Sequence, residues 1–288
     1  MIDIEYIKNL KEIDNNGIWQ NDRTSVGRSK QLFGVVTRFN TKGEFAPFIQ
    51  CRTFSPRISF EEWKWMMSGS TDANILQQKN IHIWDGNTTR EFLDARGLFD
   101  VPVNHIGKAY GYQYRSFGGV SDQVKSVFKS LRDNPNSRRH VISIWNPNEL
   151  SEMALEPCFH LYEFMYVNGV LNLYVHGRSS DYTFGMPYNL SFSYFWLASF
   201  SKALGYKMGE IMITTTNTHY YENQVELVEA LISEDATEMI NELSIPICSI
   251  KKEIKSLEDI LSLEWHDIEI SNWVKGPTLT DKKIEMAV

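Results

Sequence analysis

Apolar residues recur along this chain in blocks whose spacing alternates between helical and strand periods. Residues 3–16 read as a short helix, and QLFGVVTRFN (31–40) reads as a strand after the polar loop NDRTSVGRSK. SFEEWKWMMSG (59–69) has a serine before acidic residues and a glycine after its last bulky one, which are helix start and stop signals. SDQVKSVFKSLRDNP (121–135) repeats the pattern, with Val124, Val127, Phe128 and Leu131 on one face. Three apolar or alternating runs follow at 139–146, 159–167 and 170–178, and Asn168-Gly169 between the last two is a hairpin signal.

LSFSYFWLASFSKALG (190–205) is apolar nearly all round and ends in glycine, as a buried central helix does; it is too short and too polar for a membrane span. IMITTTNTHYY (211–221) reads as another strand and NQVELVEALIS as an amphipathic helix. This mixture predicts an α/β or α+β domain, a mixed sheet packed with helices and carrying a hairpin. No internal repeat or low-complexity linker divides the 288 residues, so a single domain over 1–288 is expected.

Composition narrows the chemistry. The net charge of −7 gives no global reason to bind a nucleic-acid backbone, so a polymer substrate is disfavoured and no DNA is expected as a partner. A phosphate bound here needs a local cluster of cations. The three cysteines, Cys51, Cys158 and Cys248, lack CxxC spacing, which suggests neither a disulfide framework nor a metal knuckle; no metal is expected. The N-terminal segment lacks the basic-then-apolar order of a signal peptide, and a cytoplasmic protein is the expectation.

A lone cysteine in such a chain is usually a small buried hydrophobe. The surroundings of Cys158 argue otherwise. SRRHVISIWNPNELSEMALEPC before it, and GRSSDYTFGMPYNLSF after the hairpin, contain a double arginine, a WNP turn, MAL-x-PC and RSxDxxxGxPxN in that order. Together with NDRTSVG, EEWKWMMSGSTDANIL, IHIWDGNTTREFLD, YGYQYRSFGG, THYYENQ and the terminal KKIEMAV, these motifs span nearly the whole chain, which resembles the thymidylate synthase family.

The resemblance implies that Cys158 adds as a thiolate to C6 of dUMP, making C5 nucleophilic toward a one-carbon unit. Arg23, Arg178 and Ser179 match the family's phosphate ligands, while Arg138 and Arg139 match a pair donated by the other subunit of a homodimer whose interface is a sheet face. Asn189 matches the reader of the base: a carboxamide offers one acceptor and one donor, which complements uracil's N3–H and O4, whereas related deoxycytidylate hydroxymethylases carry Asp there. His219 and Tyr221, two apart on a strand and so on one face, match the ligands of the deoxyribose hydroxyl.

Glu62 and Tyr110 match the family's proton-handling residues. Glu61 competes for the carboxylate role on spacing alone, and the family register selects Glu62. The folate co-substrate, 5,10-methylenetetrahydrofolate, is implied to stack over the pyrimidine. It would be held by Ile83, Trp84, Asn87, Asp181, Gly185, Tyr188 and the terminal Met286-Ala287-Val288, with Asp181 accepting from the pterin amide.

Four positions depart from the family pattern. Phe159 follows the nucleophile where a histidine is usual, Gly177 replaces a glutamine, Tyr114 a tryptophan, and Phe184 a leucine. His160 is no simple substitute for the missing histidine, because on a strand it points to the opposite face. Phe184 resembles the hydroxymethylase branch, whereas Trp84 and KKIEMAV resemble true synthases. The expected activity is therefore methylation of dUMP to dTMP with release of dihydrofolate. Water capture by a deoxyuridylate 5-hydroxymethylase, or less readily a deoxycytidylate one, is the alternative.

Overall fold

The computed structural model describes residues 1–21, 24, 26–279 and 284. Its centre is a six-stranded mixed sheet in the order β1-β2-β6-β5-β4-β3. These strands are β1 (Ile18–Asn21), β2 (Arg28–Asn40), β3 (Val141–Ser143), β4 (Phe159–Val167), β5 (Val170–Asp181) and β6 (Lys207–Tyr221). β5 and β6 pair in parallel, and the other four pairings are antiparallel.

The hairpin turn between β4 and β5 forms where expected. Asn168 and Gly169 both take positive φ, 49° and 84°, as a two-residue turn matched to strand twist requires. Along β5 the apolar residues Leu171, Leu173 and Val175 are buried, while Asn172, Tyr174 and His176 lie on the opposite, half-exposed face. The buried face packs against the helix Gly185–Leu204, whose side chains from Leu190 to Ser201 are all buried. That helix packs in turn on the helix Pro56–Met67. No helix among the described residues is long and apolar enough to cross a membrane.

Several expected boundaries move for identifiable reasons. The helix expected at 59–69 begins at Pro56, because Pro suits the first helical position, where its missing N–H has no partner to lose. The helix expected from 190 begins at Gly185 and includes Pro187 in its first turn, for the same reason. Part of the loop read at 21–30 is strand: β1 pairs with the start of β2, with Ile18 opposite Gln31 and Asn21 opposite Arg28. The run at 139–146 is strand only over Val141–Ser143.

A register shift follows Phe159. Phe159 pairs with Gly177 and Leu161 with His176, so His160 is an extra residue, a β-bulge directly after the Pro157-Cys158 pair. Phe159 is buried and His160 half-exposed, which bears out their opposite orientation.

Candidate active site

Cys158 stands at the start of β4, half-buried, while Cys51 and Cys248 are sealed in the core with their thiol pKa values raised by burial. Arg178, across the hairpin, donates its backbone N–H to the Cys158 carbonyl at 2.8 Å. Its side chain then curls back: Nε donates to the Pro157 carbonyl at 3.0 Å, and Nη2 to the Glu156 carbonyl at 2.8 Å. These bonds leave Nη2 3.8 Å from the Cys158 sulfur. A guanidinium so placed favours the thiolate over the thiol.

On the other side, the backbone N–H of Cys158 donates to the Tyr110 hydroxyl at 3.0 Å. Tyr110 takes φ +37°, an unusual backbone for a bulky residue, at the start of the short helix Gly111–Ser116. Burial, and then the neighbouring Cys158, push its phenol well above the usual tyrosine range. Its ring meets Trp84 edge to face with centroids 5.5 Å apart, and the Trp84 indole N–H donates to Glu62 Oε1 at 2.9 Å. Burial raises the Glu62 carboxyl to about 7 against the lowering effect of that bond. A contact chain therefore runs Cys158, Tyr110, Trp84, Glu62.

Glu61 and Glu62, adjacent in sequence, are engaged differently. Glu61 is buried and forms an ion pair with Lys79. Glu62 bonds the indole of a residue that itself touches Tyr110.

The parallel register of β5 and β6 gathers the remaining strand residues at one end of the sheet. Asp181 lies opposite His219, and Ser179, next to Arg178, lies opposite Asn217. The rings of His219 and Tyr221 meet at 5.0 Å, as their shared strand face requires, and His219 Nδ1 is 3.0 Å from Asn217 Oδ1. Asp181 Oδ1 accepts from the N–H groups of Thr183 and Phe184, at 2.9 and 3.1 Å, and closes the turn into the helix Gly185–Leu204. Its Oδ2 accepts from Gln224 at 2.8 Å, a contact that reading by motif missed although Gln224 ends THYYENQ. A carboxylate oxygen has a second lone pair, so Oδ2 retains capacity for a ligand N–H.

Asn189 lies inside the helix and does not cap it: Nδ2 donates to the Gly185 carbonyl one turn earlier at 2.7 Å. Tyr188 is half-buried with its ring 4.8 Å from that of Phe54. Trp84 is buried, whereas Ile83 is 41% exposed and Asn87 half-exposed, so these three span from the interior to the surface. Arg138 and Arg139 are exposed, in the loop after the helix Gln123–Asp133. Among the described residues, neither guanidinium has a hydrogen bond or ion pair that ties it to the Cys158 cluster. Arg23 and the terminal Met286-Ala287-Val288 lie outside the described residues.

The departures from the family pattern also find their places. Phe159 and Gly177 face each other across the β4–β5 pair. Tyr114 is fully buried between Tyr162 and Trp196. Phe184 lies under the buried guanidinium of Arg52, 5.0 Å from it.

A mixed sheet with a thiol at a strand start, a cation beside the sulfur and a carboxyl titrating near neutrality has the parts for nucleophilic chemistry on an anionic substrate. The family profile described as thymidylate synthase matches residues 4–288, and the chain belongs to that family. It is similar to the bifunctional dihydrofolate reductase-thymidylate synthase of Leishmania major, 35% identical over 99% of this chain and 55% of the relative. It is also similar to the thymidylate synthase of varicella-zoster virus (strain Dumas), 30% identical over 99% of this chain and 94% of the relative. The chain thus spans about half the length of the bifunctional relatives.

Proposed function

We propose that this protein catalyses the folate-dependent methylation of dUMP at C5, giving dTMP and dihydrofolate. The observation that carries the reading is the Arg178 guanidinium fixed 3.8 Å from the Cys158 sulfur by two backbone carbonyls. Family membership and the viral relative's name, over almost its full length, support it.

In this reading the Cys158 thiolate forms a bond to C6 of the uracil ring, and the electron pair displaced from the C5–C6 double bond makes C5 the nucleophile. Glu62, with its carboxyl near 7, holds or releases a proton at the carbonyl side of the ring at neutral pH. Tyr110, whose hydroxyl accepts from the Cys158 backbone N–H, is assigned to the C5 proton that must leave. Arg178 and Ser179 bind the phosphate, His219 and Tyr221 the sugar, and Asn189 the base. The bound folate, 5,10-methylenetetrahydrofolate, supplies the one-carbon unit and the hydride. Asp181, Trp84, Ile83, Asn87, Gly185 and Tyr188 fit it, since a carboxylate with a remaining lone pair, a buried indole and an apolar rim suit a flat amide-bearing ring.

The partly exposed face of the sheet and the exposed Arg138 and Arg139, whose guanidinium groups form no ion pair among the described residues, support a symmetric dimer in which each subunit completes its partner's phosphate site. The reading treats residues 1–288 as one catalytic domain acting in the cytosol.

Product analysis by mass spectrometry tests the activity. Wild type should yield dTMP with stoichiometric dihydrofolate. Cys158→Ala should abolish turnover without loss of fold, whereas Cys51→Ala and Cys248→Ala should stay active at reduced stability, since both side chains are buried. 5-Hydroxymethyl-dUMP with tetrahydrofolate in place of dTMP would assign the hydroxymethylase reaction, and appreciable turnover by Cys158→Ala would remove the covalent step.

A further inference from the structure

The two carbonyls that fix Arg178 at the sulfur bond one edge of its guanidinium, and a further contact steadies the group from another side. Its two bonds to the Pro157 and Glu156 carbonyls lie in the guanidinium plane and fix where its edge points. They do little to stop the plane from tilting, and a 3.8 Å approach of Nη2 to sulfur is sensitive to tilt. The guanidinium also lies over the indole of Trp145, with Cζ 5.7 Å from the ring centroid. Trp145 comes from the WNP turn, shortly after β3.

Trp145 is itself braced. Its ring meets His160 at 5.7 Å, and His160 meets His176 at 5.1 Å, nearly perpendicular. The Thr214 hydroxyl lies 3.0 Å from His176 Nδ1 and anchors the far end. His160, opposite in orientation to the buried Phe159, sits at the register shift of β4 and points into this row. Burial, and then the nearby His176 and Arg178, lower the His160 pKa, so its imidazole is neutral at neutral pH and adds no competing cation.

We propose that Trp145 is a positioning residue for Arg178: its indole face, braced by His160, holds the guanidinium at the Cys158 sulfur and so sets the reactivity of the thiol. The inference rests on Cys158 being the nucleophile. Among the described residues, two kinds of ionisable group near the sulfur are themselves constrained. Glu156 is paired with Arg96, and the Tyr110 and Tyr162 phenols are pushed up by burial and stay protonated. Changing Trp145 therefore acts on the sulfur through Arg178.

The test is the pH dependence of iodoacetamide alkylation at each cysteine of the full chain, read by peptide mass spectrometry, without nucleotide or folate. In wild type Cys158 should react far ahead of Cys51 and Cys248, whose burial makes them reporters of unfolding in the same digest. Trp145→Leu keeps apolar bulk but removes the π face. It should slow Cys158 alkylation about tenfold at neutral pH and move its midpoint up by about one unit. Trp145→Phe, which keeps a ring face, should stay within about twofold of wild type. His160→Ala, which withdraws the brace and leaves the indole, should shift the midpoint the same way by less, and it decides the matter if Trp145→Leu exposes Cys51 and Cys248. Unmoved midpoints in Trp145→Leu and His160→Ala, or equal shifts in the Leu and Phe variants, overturn the positioning role. No preference for Cys158 in wild type overturns the nucleophile assignment instead.

Discussion

A methyl carbon added to Gly177 would lie 2.8 Å from Cε1 of Phe159, closer than carbon atoms pack. The two residues pair across β4 and β5, and Thr215 on β6 closes the third side at 3.1 Å. Phe159, next to Cys158, and Gly177, next to Arg178, are therefore sterically coupled: with Phe159 in place, a side chain at 177 is crowded. Gly177→Ala should destabilise the fold by about 1–3 kcal/mol, and the loss should shrink in a Phe159→Ala background. Urea midpoints of the four proteins in that cycle measure the coupling; additive losses would show that the residues are independent.

The raised carboxyl of Glu62 gives stability a definite pH dependence. Between its ordinary value of 4.5 and its folded value of about 7, the native state holds a proton that the unfolded chain has lost. Stability therefore falls as pH rises through that window. Above it, the buried carboxylate costs up to about 3 kcal/mol relative to acid conditions. Glu62→Gln removes the titration, so the variant should be more stable than wild type at about pH 8 and lose that advantage toward pH 4.5. Its turnover should fall by about a hundredfold or more. Parallel pH–stability curves for the two proteins would sink the assignment.

Asn189 offers a test of base choice that the helix makes demanding. Its Nδ2 donates to the Gly185 carbonyl, so Asn189→Asp places a carboxylate oxygen where a donor stood. The variant relieves that repulsion by rotating or by binding a proton. Either response should lower the preference for dUMP over dCMP, measured as the ratio of kcat/KM values, by about tenfold or more. An unchanged ratio would take Asn189 out of the reading of the base.

Shared sites predict rescue between inactive subunits. Cys158→Ala and Arg138→Ala homodimers should each be inactive or severely impaired, and mixing them with verified subunit exchange should restore activity, because a hybrid dimer contains one intact site. A monomer by sedimentation, or no recovery after exchange, would count against donation of Arg138 and Arg139.

What the sequence disclosed about these elements follows from where the physical signal is local. The helix Gln123–Asp133 was legible because its Asp122 cap and apolar stripe are both near neighbours in sequence, and the β4–β5 hairpin because two residues determine its turn. β1 was not legible: it is a four-residue, mostly exposed edge strand whose partner, not its pattern, makes it a strand. Family motifs supplied Cys158, Glu62 and Arg178 as candidates. The bond from Trp84 to Glu62 and the contact of Trp145 with Arg178 join side chains well apart in sequence, and no periodicity records them.

β5 and β6 run parallel, so they meet only after the helix Gly185–Leu204 has carried the chain back along the sheet. The β4–β5 hairpin closes through two residues and forms early, whereas the β5–β6 ladder waits on a long loop closure. The end of the sheet to which the proposed function assigns the nucleotide is then expected to assemble late. A growing chain that has emerged as far as Leu204 already carries Cys158 and Arg178, but neither His219 nor Tyr221. During synthesis Cys158 is therefore present before the β6 residues proposed to complete its site. If a nucleotide binds only the closed ladder, as the proposed function requires, it would draw the last step of folding forward by mass action.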